Sequence, residues 1–146
     1  MNILIVYDTK FGNTERVARS IARGFGPSNH VQVESASVTQ VIDPSVDLMI
    51  VGGPTQAHGA SQPMRAFLEG LPDLSGTRVS AFDTRYDKPR WLTGAASGVI
   101  AGTLRKRGGS LVQPGESFFI TASEGPLAPG EEDRAAIWGA TFAGRA

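Results

Sequence analysis

The 146-residue chain contains no cysteine. This excludes disulfides, thiolate metal ligands, cysteine nucleophiles and cysteine-ligated iron–sulfur clusters, so any redox chemistry must come from a bound cofactor. The chain also lacks an excess of either charge, because 14 Lys and Arg residues balance 14 Asp and Glu residues. A neutral chain has no general field that attracts nucleic acid or an anionic membrane, so polyanion binding is not expected as its main role.

Targeting and membrane signals are absent as well. No apolar run reaches the roughly 18 residues expected of a spanning helix. The first residues show no basic region followed by a long apolar run and a cleavage site. We therefore expect a cytoplasmic protein. We also expect one domain over residues 1–146, since domains usually have roughly 100–200 residues and no repeat or linker divides this chain.

What the chain does contain is an alternation of strand and helix patterns. Continuous apolar or alternating runs predict strands at residues 3–7, 30–34, 48–51, 78–82 and 117–120. Helical periodicity predicts helices near residues 17–25, 64–71, 95–106 and 131–142. This alternation favours an α/β fold with a parallel sheet, in which the strand at 30–34 lies at an edge because its apolar residues alternate with polar ones.

Ligands of such sheets bind beyond the carboxyl ends of the strands, which directs attention to residues 8–14, 52–61 and 83–93. The first of these loops reads TKFGNTE and leads into a predicted helix. Backbone N–H groups at a helix N-terminus bind phosphate well. The side chains of Thr9, Asn13 and Thr14 add donors, and Gly12 allows close approach.

The same loop lacks the Gly-Lys-Ser/Thr ending of a nucleoside-triphosphate site and the Gly-x-Gly-x-x-Gly pattern of a dinucleotide site. A monophosphate ligand is therefore the prediction. The alternative is that Asn13 or Thr14 only caps the helix.

The run from Ile5 to Thr14, together with Ala18 and Ile21, resembles the N-terminal signature of the flavodoxin family. The turn at residues 51–55, VGGPT, resembles that family's second flavin loop. The resemblance implies a flavodoxin-like three-layer α/β sandwich with a five-stranded parallel sheet in the order 2-1-3-4-5, the order known for flavodoxins. It also implies an FMN cofactor, and the absence of a long insertion in the fifth strand indicates the short-chain form.

By this resemblance, three loops hold the FMN. The first binds the phosphate and the other two flank the ring. The implied residues are Thr9, Lys10, Phe11, Gly12, Asn13 and Thr14 for the phosphate, then Pro54, Thr55, Gln56, Ala57, His58 and Gly59 on one side of the ring, and Asp83, Thr84, Arg85 and Tyr86 on the other. Phe11 departs from the pattern, because many flavodoxins have a hydroxyl residue there.

The family commonly brackets the ring with aromatic residues, for which His58, Tyr86 and Trp91 are the candidates. Each has an alternative: His58 as an ordinary exposed histidine, Tyr86 as a surface residue, and Trp91 packed at the start of the fourth helix. Trp138 shares a helical stripe with apolar neighbours and is predicted to lie in the core. Gly59 is expected to give the His58–Gly59 peptide its conformational freedom.

Arg85 is the cation predicted nearest the ring. A cation within ~4–6 Å favours the charged form of a titrating group, so Arg85 is expected to stabilise anionic reduced flavin. The alternative is that Arg85 points to solvent.

The predicted function is that of an FMN-binding electron-transfer protein that shuttles electrons between redox partners, such as a flavoprotein reductase. No catalytic residue of its own and no metal site are predicted. Two alternatives stay open: an FMN-dependent reductase acting on a quinone or a protoporphyrinogen-like molecule, and a flavin-free interaction module. Flavodoxins as a family are strongly acidic, whereas this chain is neutral.

Overall fold

Helices separate some but not all of the strands along the chain in the computed structural model, which describes residues 1–39 and 41–143. The strands are β1 (Asn2–Tyr7), β2 (His30–Ser35), β3 (Leu48–Gln56), β4 (Gly59–Ala60), β5 (Arg78–Tyr86), β6 (Ser110–Leu111) and β7 (Glu116–Ile120). The helices are α1 (Asn13–Gly24), α2 (Gln62–Glu69), α3 (Arg90–Thr93), α4 (Ala96–Lys106) and α5 (Glu131–Ala143). Within the described residues, none of these helices has the length and apolar character needed to cross a membrane.

The sheet has the predicted parallel order. Strands β2, β1, β3 and β5 lie side by side, and both β6 and β7 pair with the remaining edge of β5. Taken as one interrupted strand, β6 and β7 complete the predicted order 2-1-3-4-5. Strand β4 pairs antiparallel with the end of β3 and forms a short hairpin that the sequence patterns did not predict.

Helices cover both faces of the sheet, because the central strands are apolar on both sides. On one face, Leu4 and Val6 of β1 pack in a buried cluster with residues of α2 and α4. On the other face, Ile3 and Ile5 pack with residues of α1 and α5, including Trp138. Trp138 is 9% exposed, so its predicted core position is confirmed.

Two strands extend further than the sequence patterns indicated, which corrects the bounds of two predicted loops. Strand β3 continues through the Gly-Gly-Pro turn to Gln56, and β5 continues to Tyr86. The two strands stay paired there, with Gly53 opposite Asp83. Gly52 allows this because a Cβ atom there would lie 2.2 Å from the Phe82 ring. Gly52, which indicated the end of a strand in the sequence, therefore makes room for a buried aromatic ring instead.

Candidate functional site

A cavity of about 460 Å³ opens at the carboxyl end of the parallel sheet. It brings together residues from all three predicted loops with residues of α3 and of the segment after β7. Its wall is formed by Lys10, Phe11, Thr55, Gln56, Ala57, His58, Arg85, Tyr86, Leu92, Thr93, Ile120 and Ser123.

The loop between β1 and α1 presents unpaired backbone donors. Gly12 adopts a left-handed conformation with φ of 91°, and its N–H donates to Thr9 Oγ1 at 2.9 Å. The first helical hydrogen bond then runs from Arg16 N–H to the Gly12 carbonyl oxygen. Within the described part of the chain, no acceptor receives a hydrogen bond from the backbone N–H groups of Lys10, Phe11, Asn13, Thr14 and Glu15.

The predicted side-chain donors of this loop already have protein partners. Thr14 is 2% exposed, and its Oγ1 lies 2.9 Å from Thr84 Oγ1. Asn13 donates through Nδ2 to the Glu124 carbonyl oxygen at 3.1 Å. Thr9 Oγ1 is the acceptor inside the loop, and its own O–H stays available as a donor. Besides this hydroxyl, the free donors at this end of the site are mainly backbone groups at the positive end of the α1 dipole.

The β3–β4 hairpin forms one wall of the cavity and carries backbone strain. Its two turn residues, Ala57 and His58, have φ of 49° and 69°, a region that costs an L-residue roughly 1–2 kcal/mol. Gly59 is not among the residues with positive φ. The unusual backbone conformation expected at Gly59 therefore occurs at Ala57 and His58 instead. The turn rests on Gly94, where a Cβ atom would lie 2.1 Å from the His58 carbonyl oxygen.

Asp83 and Thr84 are buried and do not line the cavity, although they belong to the same strand β5 as Arg85 and Tyr86. Asp83 is fully buried, and its Oδ2 accepts a hydrogen bond from Ser97 N–H at 2.8 Å. Thr55 Oγ1 accepts from Ala96 N–H at 3.0 Å. These two oxygens cap the first turn of α4 from the sheet, which explains how the helix begins although Ala95 provides no cap.

Arg85 is 8% exposed and lines the cavity, so the alternative in which it points to solvent is wrong. Its Nε donates to Ser117 Oγ at 2.9 Å. Its Nη1 donates to the Lys88 carbonyl oxygen at 2.7 Å and to Thr93 Oγ1 at 3.2 Å. These acceptors fix the plane of the guanidinium against the wall.

Ser117 is itself held by a charged cluster on α5. The guanidinium of Arg134 donates to the Ser117 carbonyl oxygen and, through Nη2, to Glu131 Oε2 at 2.7 Å. The Phe119 N–H donates to the same Glu131 oxygen at 2.8 Å. Burial by itself would raise the pKa of Glu131, but the hydrogen bonds from Arg134 and Phe119 outweigh it and hold that pKa below its usual value.

The aromatic residues near the predicted site differ in whether they line the cavity. Tyr86 and Phe11 line the cavity and are 40% and 48% exposed. His58 is also on the wall and exposed. Trp91 lies in α3, 79% exposed and away from the wall, so it does not pack at the start of the fourth helix as expected.

Sequence reasoning missed part of the wall. Ile120 ends strand β7 and Ser123 follows it, so the rule that selected the other loops could have selected this segment too. Leu92 and Thr93 lie within the third predicted loop, 83–93, but were not predicted as site residues, because α3 is a single turn without a periodic signal.

Comparison with known proteins identifies the architecture. No protein-family model and no curated protein sequence matches the chain. Solved structures do: oxidised flavodoxin 2 from Bacillus cereus matches with a TM-score of 0.84 and 23% identity over 100% of both chains. The chain has the flavodoxin fold.

Two further matches agree with this assignment. Oxidised flavodoxin 1 from Bacillus cereus has a TM-score of 0.83 and 22% identity, over 100% of this chain and 99% of that one. Rubredoxin oxygen:oxidoreductase from the anaerobe Desulfovibrio gigas has a TM-score of 0.76 and 18% identity, over 99% of this chain but 35% of that one. The flavodoxin fold thus accounts for the whole chain, and the fold predicted from the two short motifs is confirmed.

Proposed function

We propose that the chain binds FMN and carries electrons between redox partners. The observation that supports this most is the combination of the cavity with the unpaired N–H groups of the β1–α1 loop beside it. FMN has a planar ring and a phosphomonoester joined to it by a ribityl chain. The ring would occupy the cavity and the phosphate would meet the N–H groups. The flavodoxin fold, whose sites of this kind lie at this edge of the sheet, supports the same ligand.

The phosphate end fits the chemistry of FMN. A phosphate dianion needs several donors, and the N–H groups of Lys10, Phe11, Asn13, Thr14 and Glu15 are donors at the positive end of a helix dipole. Gly12 has nothing within 4 Å of the position of a Cβ atom, so no protein atom crowds the loop at that point. We assign phosphate binding to this backbone, with Thr9 shaping the loop from within.

The ring end fits a planar heterocycle. Tyr86 presents an aromatic side chain at the wall, and Ala57 and His58 of the hairpin turn line the same cavity. Arg85 provides a guanidinium cation on the cavity wall. We assign ring binding to these residues, with Thr55 and Asp83 supporting the wall through the α4 cap.

Bound FMN would supply chemistry that no side chain of this chain offers, namely the uptake and release of one or two electrons. The residues around it orient the cofactor, exclude part of the solvent and set the local charge. Phe11, Tyr86 and Leu92 are exposed at the cavity, so an edge of the site is open to a partner. A flavoprotein reductase or another redox protein is the partner we propose.

The rim of the cavity, meaning here the exposed charged residues on its wall or within two residues of the wall in sequence, carries both signs of charge. These residues are Lys10, Lys88 and Arg90, and Asp87 and Glu124. Such a mixed rim does not create the single-sign field that steers oppositely charged proteins together. We therefore expect the association rate with a redox partner to depend only weakly on ionic strength.

The visible spectrum of the purified protein, followed by titration of the apoprotein with FMN, tests the cofactor assignment. The proposal requires flavin bands near one FMN per chain, or saturable binding that restores them. If the apoprotein does not bind FMN, the flavin-free interaction module becomes the better account.

Turnover assays separate a carrier from a reductase. A carrier reconstituted with FMN should oxidise NAD(P)H slowly when small quinones are the only acceptors, and should become active when a flavoprotein reductase is added. Rapid NAD(P)H oxidation by the isolated protein would favour the small-molecule reductase instead.

A further inference from the structure

One polar group of the cavity wall has no partner in the protein. Three of the nitrogens of Arg85 belong to its guanidinium, and only Nε and Nη1 donate to acceptors. Within residues 1–39 and 41–143, no acceptor receives a hydrogen bond from Nη2. Arg85 is more than nine-tenths buried and lines the cavity, so its free donor is available to a ligand there.

The position of this guanidinium is fixed. Besides its bonds to Ser117, Lys88 and Thr93, it lies over the Phe119 ring, with Arg85 Cζ 5.3 Å from the ring centroid. A side chain with this many fixed contacts cannot swing away to solvent without losing them. The charge is therefore a permanent part of the wall.

The counterion lies beneath the wall and is only loosely paired. Asp83 Oδ1 is 4.0 Å from Arg85 Nε and has no hydrogen-bond partner among the described residues. The other carboxylate oxygen, Oδ2, caps the N-terminus of α4 through Ser97. Part of the negative charge of Asp83 is thus balanced by the α4 dipole, which leaves the Arg85 charge less than fully compensated on the cavity side.

From this arrangement we propose that the positive charge of Arg85 makes the site selective for an anionic ring. We propose further that the negative charge of the buried Asp83 partly offsets this selectivity. The inference rests on the proposed FMN function. FMN takes up two electrons and one proton to give FMNH⁻, whose ring is an anion, whereas the oxidised ring is neutral. A buried cation beside the ring stabilises the anion more than the neutral form, so the reduced cofactor binds more tightly relative to the oxidised one.

Burial distinguishes Arg85 from the other cations near the cavity. Lys88 and Arg90 are exposed. Salt screens exposed charges over about 10 Å at 0.1 M but screens buried charges much less. The contribution of Arg85 should persist in concentrated salt, whereas that of Arg90 should disappear.

The test compares holoprotein variants by the ratio of their affinities for reduced and oxidised FMN. This ratio is obtained from the affinity for oxidised FMN together with the two-electron potential, measured during dithionite reduction against a reference dye. The variants are Arg85→Gln, Arg85→Lys and Asp83→Asn, and the matched control is Arg90→Gln. Each is measured at 0.05 and 0.5 M NaCl.

We expect Arg85→Gln to lower the ratio at least tenfold at both salt concentrations, which corresponds to about 30 mV in a two-electron potential. Arg85→Lys should lower it less, because the positive charge remains. Asp83→Asn should raise it, since the amide oxygen can still cap Ser97 but the negative charge is gone. Arg90→Gln should change it by less than twofold at 0.5 M NaCl.

An unchanged ratio in Arg85→Gln, or a change that vanishes at 0.5 M NaCl as in Arg90→Gln, would overturn the inference. If Arg85→Gln does not fold, Arg85→Lys and Asp83→Asn decide, and an unchanged ratio in Asp83→Asn overturns it. Failure of the wild-type apoprotein to bind FMN would overturn the proposed function and this inference together. FMN binding with no effect of Arg85 would overturn the inference alone.

Discussion

The two ends of the cavity recognise a ligand by different means. At the β1–α1 loop the free donors are mainly backbone N–H groups, and the side chains of Thr9, Asn13 and Thr14 each make a hydrogen bond within the protein. At the β5 end the free donor belongs to a side chain, Arg85, held by acceptors from two other segments.

This difference separates what the fold provides from what this chain adds. A helix N-terminus after a parallel strand offers N–H groups whatever side chains surround it. A buried arginine needs a set of acceptors that only a particular sequence provides. We therefore expect substitutions at the loop to change ligand affinity modestly, and substitutions at the β5 end to disturb the support of the wall.

Glycine substitutions should show the largest contrast between the two ends. A Cβ atom on Gly94 would meet the His58 carbonyl at 2.1 Å, and φ there is 70°. Overpacking costs about 1–3 kcal/mol, and the backbone of Gly94, with ψ of −178°, is in a region open essentially to glycine that costs another residue about 1–3 kcal/mol, so Gly94→Ala should lower the free energy of unfolding by about 3 kcal/mol or more. Gly12→Ala meets no atom within 4 Å and should cost only about 1–2 kcal/mol. Urea unfolding measures both, and equal losses would contradict the comparison.

The second-largest effect is expected at the charged cluster of α5 that holds Ser117 and, through it, the β5 end of the cavity. Glu131→Gln removes charge-assisted hydrogen bonds from Arg134 and the Phe119 N–H, so it should lower the free energy of unfolding by about 1.5–3 kcal/mol at pH 7. The control is Glu132→Gln, whose exposed contact with Arg16 at 4.0 Å should contribute less than about 1 kcal/mol.

The same substitution predicts a dependence on pH. The folded-state pKa of Glu131 lies below its usual value, so its stabilisation is complete above the unfolded-state pKa and is lost as the pH falls through the folded-state pKa. The difference between wild type and Glu131→Gln should therefore shrink in the acidic range below the usual glutamate pKa. A difference that stays constant through that range would show that the carboxylate charge is not responsible.

A smaller effect is expected from the hydroxyl of the phosphate end. Thr14→Val keeps the shape of a buried residue and removes its bond to Thr84. Because we assign phosphate binding to the backbone, FMN affinity should fall by less than tenfold, or about 1.4 kcal/mol at most. Isothermal titration of the apoprotein measures this. A hundredfold loss for FMN with no change for riboflavin would mean that the side chain holds the phosphate.

The smallest effect is expected in the strained hairpin. Asparagine tolerates the left-handed region better than histidine, so His58→Asn should raise the free energy of unfolding by about 0.5 kcal/mol. Gln56→Asn is the control, because Gln56 lies in β3 and has no positive φ. A gain in the control as large as that in His58→Asn would remove strain as the cause.

The parts of the fold that could be predicted from the sequence are those set by local patterns. Apolar runs and helical periodicity were sufficient to predict the five principal strands, the edge position of β2 and the core position of Trp138. They suffice because the burial of each face of a strand or helix determines where apolar residues recur in the sequence. The rule for parallel sheets then indicated the loops that meet at the cavity.

What could not be predicted depended on contacts between distant segments. The Gly-Gly-Pro turn suggested the end of β3, because its pairing with β5 and the approach of Phe82 to Gly52 are not visible locally. Arg85 stood in a charged stretch that reads as a surface loop, and only its acceptors on β7 and α3 show why it is buried. The prediction for Trp91 failed in the opposite direction. This large aromatic residue was expected to pack against a helix but is exposed on a single helical turn.

The central claim is that the backbone of the β1–α1 loop binds the phosphate of a flavin mononucleotide. Parallel titrations of the wild-type apoprotein with FMN and with riboflavin test it most directly, because the two ligands differ only in the phosphate. With at least two charge-assisted hydrogen bonds of about 1.5–3 kcal/mol each, FMN should bind at least about 100-fold more tightly. Equal affinities for FMN and riboflavin, or no binding of either, would contradict the account.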